Sequence, residues 1–363
     1  MNILHLLVSG GTGGIETLCK EYALRSRHRN IIICLWGSGV ISEEMEKAGI
    51  TVLDRTFSKK DVVGTMRYLL EICKQYDIDV IVTQHESPIL HFYMNAIHFM
   101  RPKIKTIAYA HSNAVDMCEE KRKRGLAFRK SVLRYSFDHA NADIAISNSV
   151  KDSLYKELKL KRNRVEVVYN GVDLEKFHLG SYKKNNAFTF IYVGRLIEEK
   201  GVQNTIKALS MLPKSLPWRL WVVGEGSYKS TLEKMTENES CSDRIFFFGN
   251  RRDVPKLLDE ADCFVHLPQW EEGFGITIIE AMAAGKVCLC NDNGAIPEII
   301  QDGYNGFLIP TQDIKATSNK MSEIIRNYDT PYMCEVELNA RERARAFSIE
   351  NYVKTVDNLI SNL

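Results

Sequence analysis

The chain has 363 residues, 45% of them apolar and 26% charged, with a formal net charge of +2 at pH 7. That length asks for two domains of ordinary size, the near-neutral balance excludes a dedicated nucleic-acid binder, and no stretch of eighteen apolar residues is present to span a bilayer. The nine cysteines are odd in number, lie mostly in apolar runs (Cys34, Cys263, Cys288, Cys290) and form no Cys-x-x-Cys pair. Buried free thiols are expected and, with an N-terminus that lacks a basic leader region, a cytoplasmic location.

Ile3 to Val8 reads as a buried strand, and Gly10-Gly11-Thr12-Gly13-Gly14 leads into a helix from Ile15 to about Leu24. Strand, glycine loop and helix open a doubly wound α/β domain. Glu16 stands where the third glycine of a dinucleotide fingerprint would fall, and no Gly-Lys-Ser/Thr follows, so the loop is either a tight turn or a ligand contact. Strands follow at Asn30 to Leu35, Thr51 to Leu53 and Val80 to Thr83, with helices near Ser42 to Ala48 and over Asp61 to Tyr76. Asp77-Ile78-Asp79 has the spacing of a metal-holding pair but precedes a strand, whereas ligands of open α/β sheets collect beyond the carboxyl ends. It reads as a solvated turn. Ile104 to Ala108 delivers His111 at a carboxyl end, a position suited to function, although a lone histidine is often structural.

Lys121, Arg122, Lys123, Arg124, Arg129, Lys130 and Arg134, interleaved with Leu126, Phe128, Val132 and Leu133, form a basic amphipathic segment. Such a segment suits an anionic membrane surface, or is an ordinary solvated helix face. A strand at Ala142 to Ser147, a helix capped by Asn148-Ser149 and a strand at Arg164 to Tyr169 precede Asn170-Gly171-Val172-Asp173. The periodicity lapses through Gly180 to Asn186, where the domain boundary is expected.

The pattern restarts with a strand at Phe188 to Val193 and the loop Gly194 to Gly201. Arg195 and Lys200 in that loop either neutralise a diphosphate or pair with Glu198 and Glu199. Trp218 to Val223 leads to Gly224-Glu225-Gly226, Arg244 to Phe248 leads to Gly249-Asn250, and Cys263 to Leu267 leads to Trp270-Glu271-Glu272-Gly273-Phe274-Gly275. The apolar run from Ile276 to Ala284 then propagates a helix that Gly285 ends. A helix start at Gly275 presents unpaired N–H groups and a positive dipole end, a seat for phosphate. Glu280 lies roughly 6 Å further along the axis, where a ribose falls if a diphosphate sits at Gly273 to Ile276. A strand at Val287 to Cys290, the turn before Pro297, a charged helix through Arg341 to Arg345 and a last helix from Ile349 to about Leu359 complete the chain.

These motifs in this order resemble the retaining glycosyltransferases of family 4. The most specific is Glu-x7-Glu, here Glu272 to Glu280, followed by Ala281-Met282-Ala283-Ala284-Gly285; Gly194-Arg195 with Lys200-Gly201, Gly224-Glu225-Gly226, Asn170-Gly171-Val172-Asp173 and Gly13-Gly14-Ile15-Glu16 accompany it. The resemblance implies the GT-B fold, two Rossmann-like doubly wound domains facing across a cleft. Residues 1–180, joined by a C-terminal helix at about 347–363, would form the acceptor side, and residues 181–346 the nucleotide-sugar donor domain.

It further implies roles for individual residues. Arg195 and Lys200 hold the diphosphate with backbone N–H groups near Gly13, Gly14, Gly273, Phe274, Gly275, Ile276 and Thr277. Glu280 takes the ribose, Glu272 and His111 the donor sugar, and the base lies near Gly249 and Asn250, with Gly224 and Glu225 in the same donor site. The implied reaction is metal-independent, needs no cofactor and retains configuration, with a UDP-sugar favoured and a GDP-sugar as the other donor. The acceptor would be a glycan or lipid-linked saccharide in assembly of a bacterial-type surface glycan, at the inner face of the membrane if the Lys121 to Arg134 segment binds lipid. The alternatives are a phosphorylase- or epimerase-like enzyme on the same fold and a noncatalytic nucleotide-sugar binder.

Overall fold

A computed structural model describes residues 1–54, 56–113, 125–161, 163–177 and 187–363. The expected boundary at Gly180 to Asn186 and the cations Lys121 to Arg124 lie outside these described residues. The chain divides into two compact units, one made of Met1–Gly171 with Ile349–Leu363, the other of Val172–Ser348.

In the first unit, β1 (Asn2–Leu7), β2 (Arg29–Cys34), β3 (Thr51–Asp54), β4 (Val80–Thr83), β5 (Lys105–Ala110), β6 (Ala142–Ala145) and β7 (Val165–Val167) form a parallel sheet in the order β3-β2-β1-β4-β5-β6-β7. Both faces are covered, so the strands are apolar without alternation; Leu4, Ile31, Ile32, Ile33 and Ile81 are all fully buried. The helices are α1 (Gly14–Arg25), α2 (Val40–Lys47), α3 (Val62–Gln75), α4 (Pro88–Met100), α5 (Leu126–His139) and α6 (Asn148–Leu158). Asp77 to Asp79 is a turn: Asp77 has φ 47°, and the Asp79 carboxylate accepts from Asn2 N at 2.7 Å, tying the turn to the start of β1.

In the second unit, β8 (Phe188–Val193), β9 (Trp218–Val223), β10 (Ile245–Gly249), β11 (Cys263–His266), β12 (Val287–Asn291) and β13 (Phe307–Ile309) are parallel in the order β10-β9-β8-β11-β12-β13. Its helices are α7 (Val202–Ser210), α8 (Lys229–Asn238), α9 (Val254–Glu260), α10 (Ile276–Ala283), α11 (Ile296–Ile299), α12 (Ile314–Asn327) and α13 (Pro331–Ala344). In each sheet the strand order reverses once, between β1 and β4 and between β8 and β11, and such switch points open crevices at the carboxyl ends.

The last helix, α14 (Ile349–Ser361), belongs to the first unit, where Tyr22 of α1 donates to Asp357 at 2.8 Å and the hydroxyls of Tyr109 and Tyr352 meet at 3.3 Å. Two helices went unread in the sequence. In α4 the first turn is set by Pro88, and α12 is started by Asp313, which accepts from Ala316 N at 2.8 Å. Among the described residues the cysteines are free thiols, buried except for Cys334, and no helix is long and apolar enough to cross a membrane.

Candidate active site

The glycine loops of the second unit follow four neighbouring strands, β10, β9, β8 and β11, at their carboxyl ends. Gly224 N donates to Gly249 O at 2.9 Å, and Leu196 N to Glu225 O at 2.9 Å, so these loops are stitched side by side. At Gly201, φ is 74° and any Cβ would lie 1.7 Å from the Leu267 carbonyl oxygen. Only glycine lets the loop after β8 lie against the loop after β11.

That close approach brings two donor side chains onto one oxygen of a third. Lys200 Nζ lies 2.6 Å from Glu272 Oε2, and His266 Nε2 lies 2.9 Å from the same atom. Glu272 and Lys200 are only 13% and 14% exposed, and His266 3%. Burial alone would push the Glu272 carboxyl up, but the Lys200 charge and the His266 hydrogen bond outweigh it and hold the group well below the usual carboxylate range. Burial depresses the His266 pKa, opposed by Glu272, and its Nδ1 is buried with no partner among the described residues. His266 is therefore neutral near pH 7 and donates from Nε2. The indole of Trp270 lies under Lys200, 5.4 Å from Nζ to the ring centre.

The loop that carries Glu272 is tied at several points. Asn291 donates to Pro268 O at 2.7 Å, Asn293 to Trp270 O at 2.8 Å, and Ala295 N to Glu272 O at 2.8 Å. It ends at Gly275, whose φ of 98° starts α10 without a side-chain cap. Gly275 thus has no side chain to compete for the N–H groups of Ile276 and Thr277 that the sequence assigned to phosphate. Further along α10, burial raises the Glu280 carboxyl to about 7, with Lys176 partly opposing, and among the described residues Glu280 has no hydrogen-bond or ion-pair partner. Arg195 is exposed and likewise forms no ion pair among the described residues.

Of the residues proposed from sequence, Lys200 and Glu272 are brought into direct contact, and Lys200 pairs with neither Glu198 nor Glu199. Glu225 pairs with Lys229 at 2.9 Å, and Gly249 has φ 66°. In the first unit, Gly13 precedes α1, and the Glu16 carboxylate folds back beside it and pairs with His85 at 3.4 Å. His111 stacks on Tyr109 with ring centres 4.2 Å apart; its backbone N–H and that of Ser112 both donate to Glu86. Burial holds the Glu86 carboxyl above its usual range, opposed by these N–H groups. His266, Gln84, His85 and Glu86 were not singled out in the sequence; the available signal was a polar residue at the end of an otherwise apolar strand.

Two family descriptions match successive parts of the chain: Glycosyltransferase Family 4 over residues 10–176 and Glycosyl transferases group 1 over residues 175–346. The chain belongs to the family 4 glycosyltransferases, and its fold is GT-B. Anabaena HepE, solved in complex with UDP, is 21% identical with a TM-score of 0.87 over 100% of both chains. The N-acetyl-alpha-D-glucosaminyl L-malate synthase of Bacillus anthracis is 25% identical over 61% of this chain; the match spans 58% of that protein's length. An N,N'-diacetylbacillosaminyl-diphospho-undecaprenol alpha-1,3-N-acetylgalactosaminyltransferase of Campylobacter jejuni is 24% identical over 89% of both chains.

Proposed function

We propose that this protein moves a sugar from a UDP-sugar to the hydroxyl of a lipid-linked saccharide, with retention of configuration and without a metal. The observation that carries the reading is the convergence of Lys200 and His266 on Glu272 beside the uncapped start of α10. A nucleoside diphosphate leaves with negative charge, and preorganised donors aimed at that charge lower the barrier most. Arg195, Lys200 and the N–H groups of Ile276 and Thr277 are such donors. Glu280, one turn on, is the acceptor for the ribose hydroxyls.

Glu272 is a poor base. Two donors share its Oε2, and a carboxylate held that far below its usual range takes a proton only in strong acid. Its chemistry is to accept hydrogen bonds from sugar hydroxyls through the oxygen left over, while the departing phosphate takes the acceptor's proton. A double displacement through paired carboxylates about 5 to 5.5 Å apart does not suit a glutamate committed to Lys200 and His266.

A membrane-bound acceptor is supported by the surface of the first unit. Phe99 on α4 is 85% exposed and Phe128 on the adjacent α5 is 71% exposed, with Tyr135 and Arg134 on the same helix. The Campylobacter relative carries a diphospho-undecaprenol acceptor in its name. The deciding experiment incubates the purified chain with UDP-sugars and an undecaprenyl-diphosphate-linked saccharide in chelator, reading the product's anomeric configuration by NMR. An axial linkage from an axial donor sustains the reading. Turnover without acceptor points instead to a phosphorylase- or epimerase-like enzyme, and binding without turnover to a noncatalytic binder.

A further inference from the structure

On the face of the first sheet that α1 and α14 cover, four polar side chains cross β2, β1 and the ends of β4 and β5 in one hydrogen-bonded row. His5 Nε2 lies 2.9 Å from Asn30 Oδ1, Gln84 Nε2 lies 2.9 Å from His5 Nδ1, and His111 Nε2 lies 3.1 Å from Gln84 Oε1. Asn30, His5 and Gln84 are each less than 9% exposed.

The polarity of this row is determined at its far end. Asn30 Nδ2 donates to the His28 carbonyl oxygen at 2.9 Å, so the other atom of that amide, Oδ1, can only accept. His5 must then donate from Nε2. As a neutral ring it offers a lone pair at Nδ1, which accepts from the Gln84 amide, and Gln84 is left with its carbonyl oxygen facing His111. The proton of His111 therefore sits on Nε2. Reversing the row would set two acceptors 2.9 Å apart at Asn30 and His5. Both rings are neutral near pH 7: burial brings His5 down to about 4, against the Asn30 hydrogen bond, and burial, with neighbouring His85 adding to it, brings His111 down to about 3.

Nδ1 of His111 is thus a bare lone pair, with no partner among the described residues. Its direction is held by the Tyr109 ring beneath and by Glu86, which accepts from the backbone N–H groups of His111 and Ser112. We propose that His5 and Gln84 are positioning residues that lock His111 as its Nε2–H tautomer, so that it meets the substrate as a hydrogen-bond acceptor for a sugar hydroxyl. This rests on the transferase reading above, and it adds that the group facing His111 must be a donor, not a carbonyl or phosphate oxygen.

The test reads the tautomer in the free, full-length protein labelled with 15N-histidine, the His111 signals being assigned by their loss in His111→Asn. The expected wild-type result at pH 7 is a protonated Nε2 and an unprotonated Nδ1. Gln84→Leu should give mixed tautomers and about a tenfold lower kcat/KM with UDP affinity unchanged. Gln84→Glu still offers an acceptor to His111 Nε2 but loses the donor to His5 Nδ1, so it should keep the His111 tautomer and recover only part of the activity. A wild-type His111 protonated on Nδ1 overturns the proposal, as does a tautomer unmoved in Gln84→Leu or full activity in that variant with the tautomer mixed. The NMR arm needs no turnover, so failure of the transferase reading and failure of the relay are seen separately.

Discussion

Lys200 and Glu272 stand 72 positions apart in the chain and meet at 2.6 Å. The cation expected to hold a diphosphate and the carboxylate expected to address a sugar are two halves of one buried ion pair. Lys200 helps to hold Glu272 ionised, and their roles cannot be separated by single substitutions.

Lys200→Met leaves the Glu272 charge buried with only His266 as partner, and breaking such a pair costs about 3–5 kcal/mol. Adding Glu272→Gln should recover most of that loss, which a double-mutant cycle of urea unfolding measures. The pH dependence follows from the depressed Glu272 pKa. In the wild type the pair's contribution is complete above the ordinary carboxylate pKa of about 4.3 and declines as pH falls below it; Lys200→Met has no such pair to lose, so the wild type's stability advantage over the variant should shrink as pH falls below that range.

Glu280 behaves in the opposite sense. Its folded pKa, raised to about 7, lies above the unfolded value, so the native state binds more protons and stability falls as pH rises from about 4.5 to 7. Glu280→Gln should therefore be more stable than wild type at pH 8, by about 1–3 kcal/mol, and equal to it at pH 4. Thermal melts across that range check the sign. Ribose hydroxyls donate to the ionised form, so wild-type UDP binding should tighten through pH 7 and that of the variant should not.

Gly201→Ala tests the close approach that builds the ion pair. The added methyl would overlap the Leu267 carbonyl at a left-handed φ, a strain on the order of 3 kcal/mol. The expected result is a lowered Tm together with weaker UDP binding, whereas alanine at exposed Gly49, whose surroundings are open, should leave binding intact.

Phe99→Ser with Phe128→Ser should reduce flotation with vesicles rich in anionic lipid while leaving UDP affinity unchanged. Equal flotation of variant and wild type would remove the membrane surface from the proposed function.

Much of this architecture is legible in the chain because parallel strands buried on both faces read as apolar runs, as at Ile31 to Ile33 and Val287 to Cys290. The glycine loops declare their positions for the same reason: Gly201 and Gly275 stand where no side chain fits. The pairing of Lys200 with Glu272 was not legible, since it depends on β8 and β11 lying side by side across a switch in strand order. His266, Gln84 and His5 were passed over as interruptions of apolar strands, although a buried polar residue must find a partner. α4 escaped because its sequence, apolar on most sides, carries little helical contrast between faces.

The central claim is that the second unit is a nucleotide-sugar donor site that works without a metal. Calorimetric titration of UDP, GDP and ADP into the full chain in excess chelator tests it most directly. The account predicts selective UDP binding that is lost in Glu280→Ala. Binding of no nucleotide, or UDP binding that appears only when a divalent cation is restored, would contradict it.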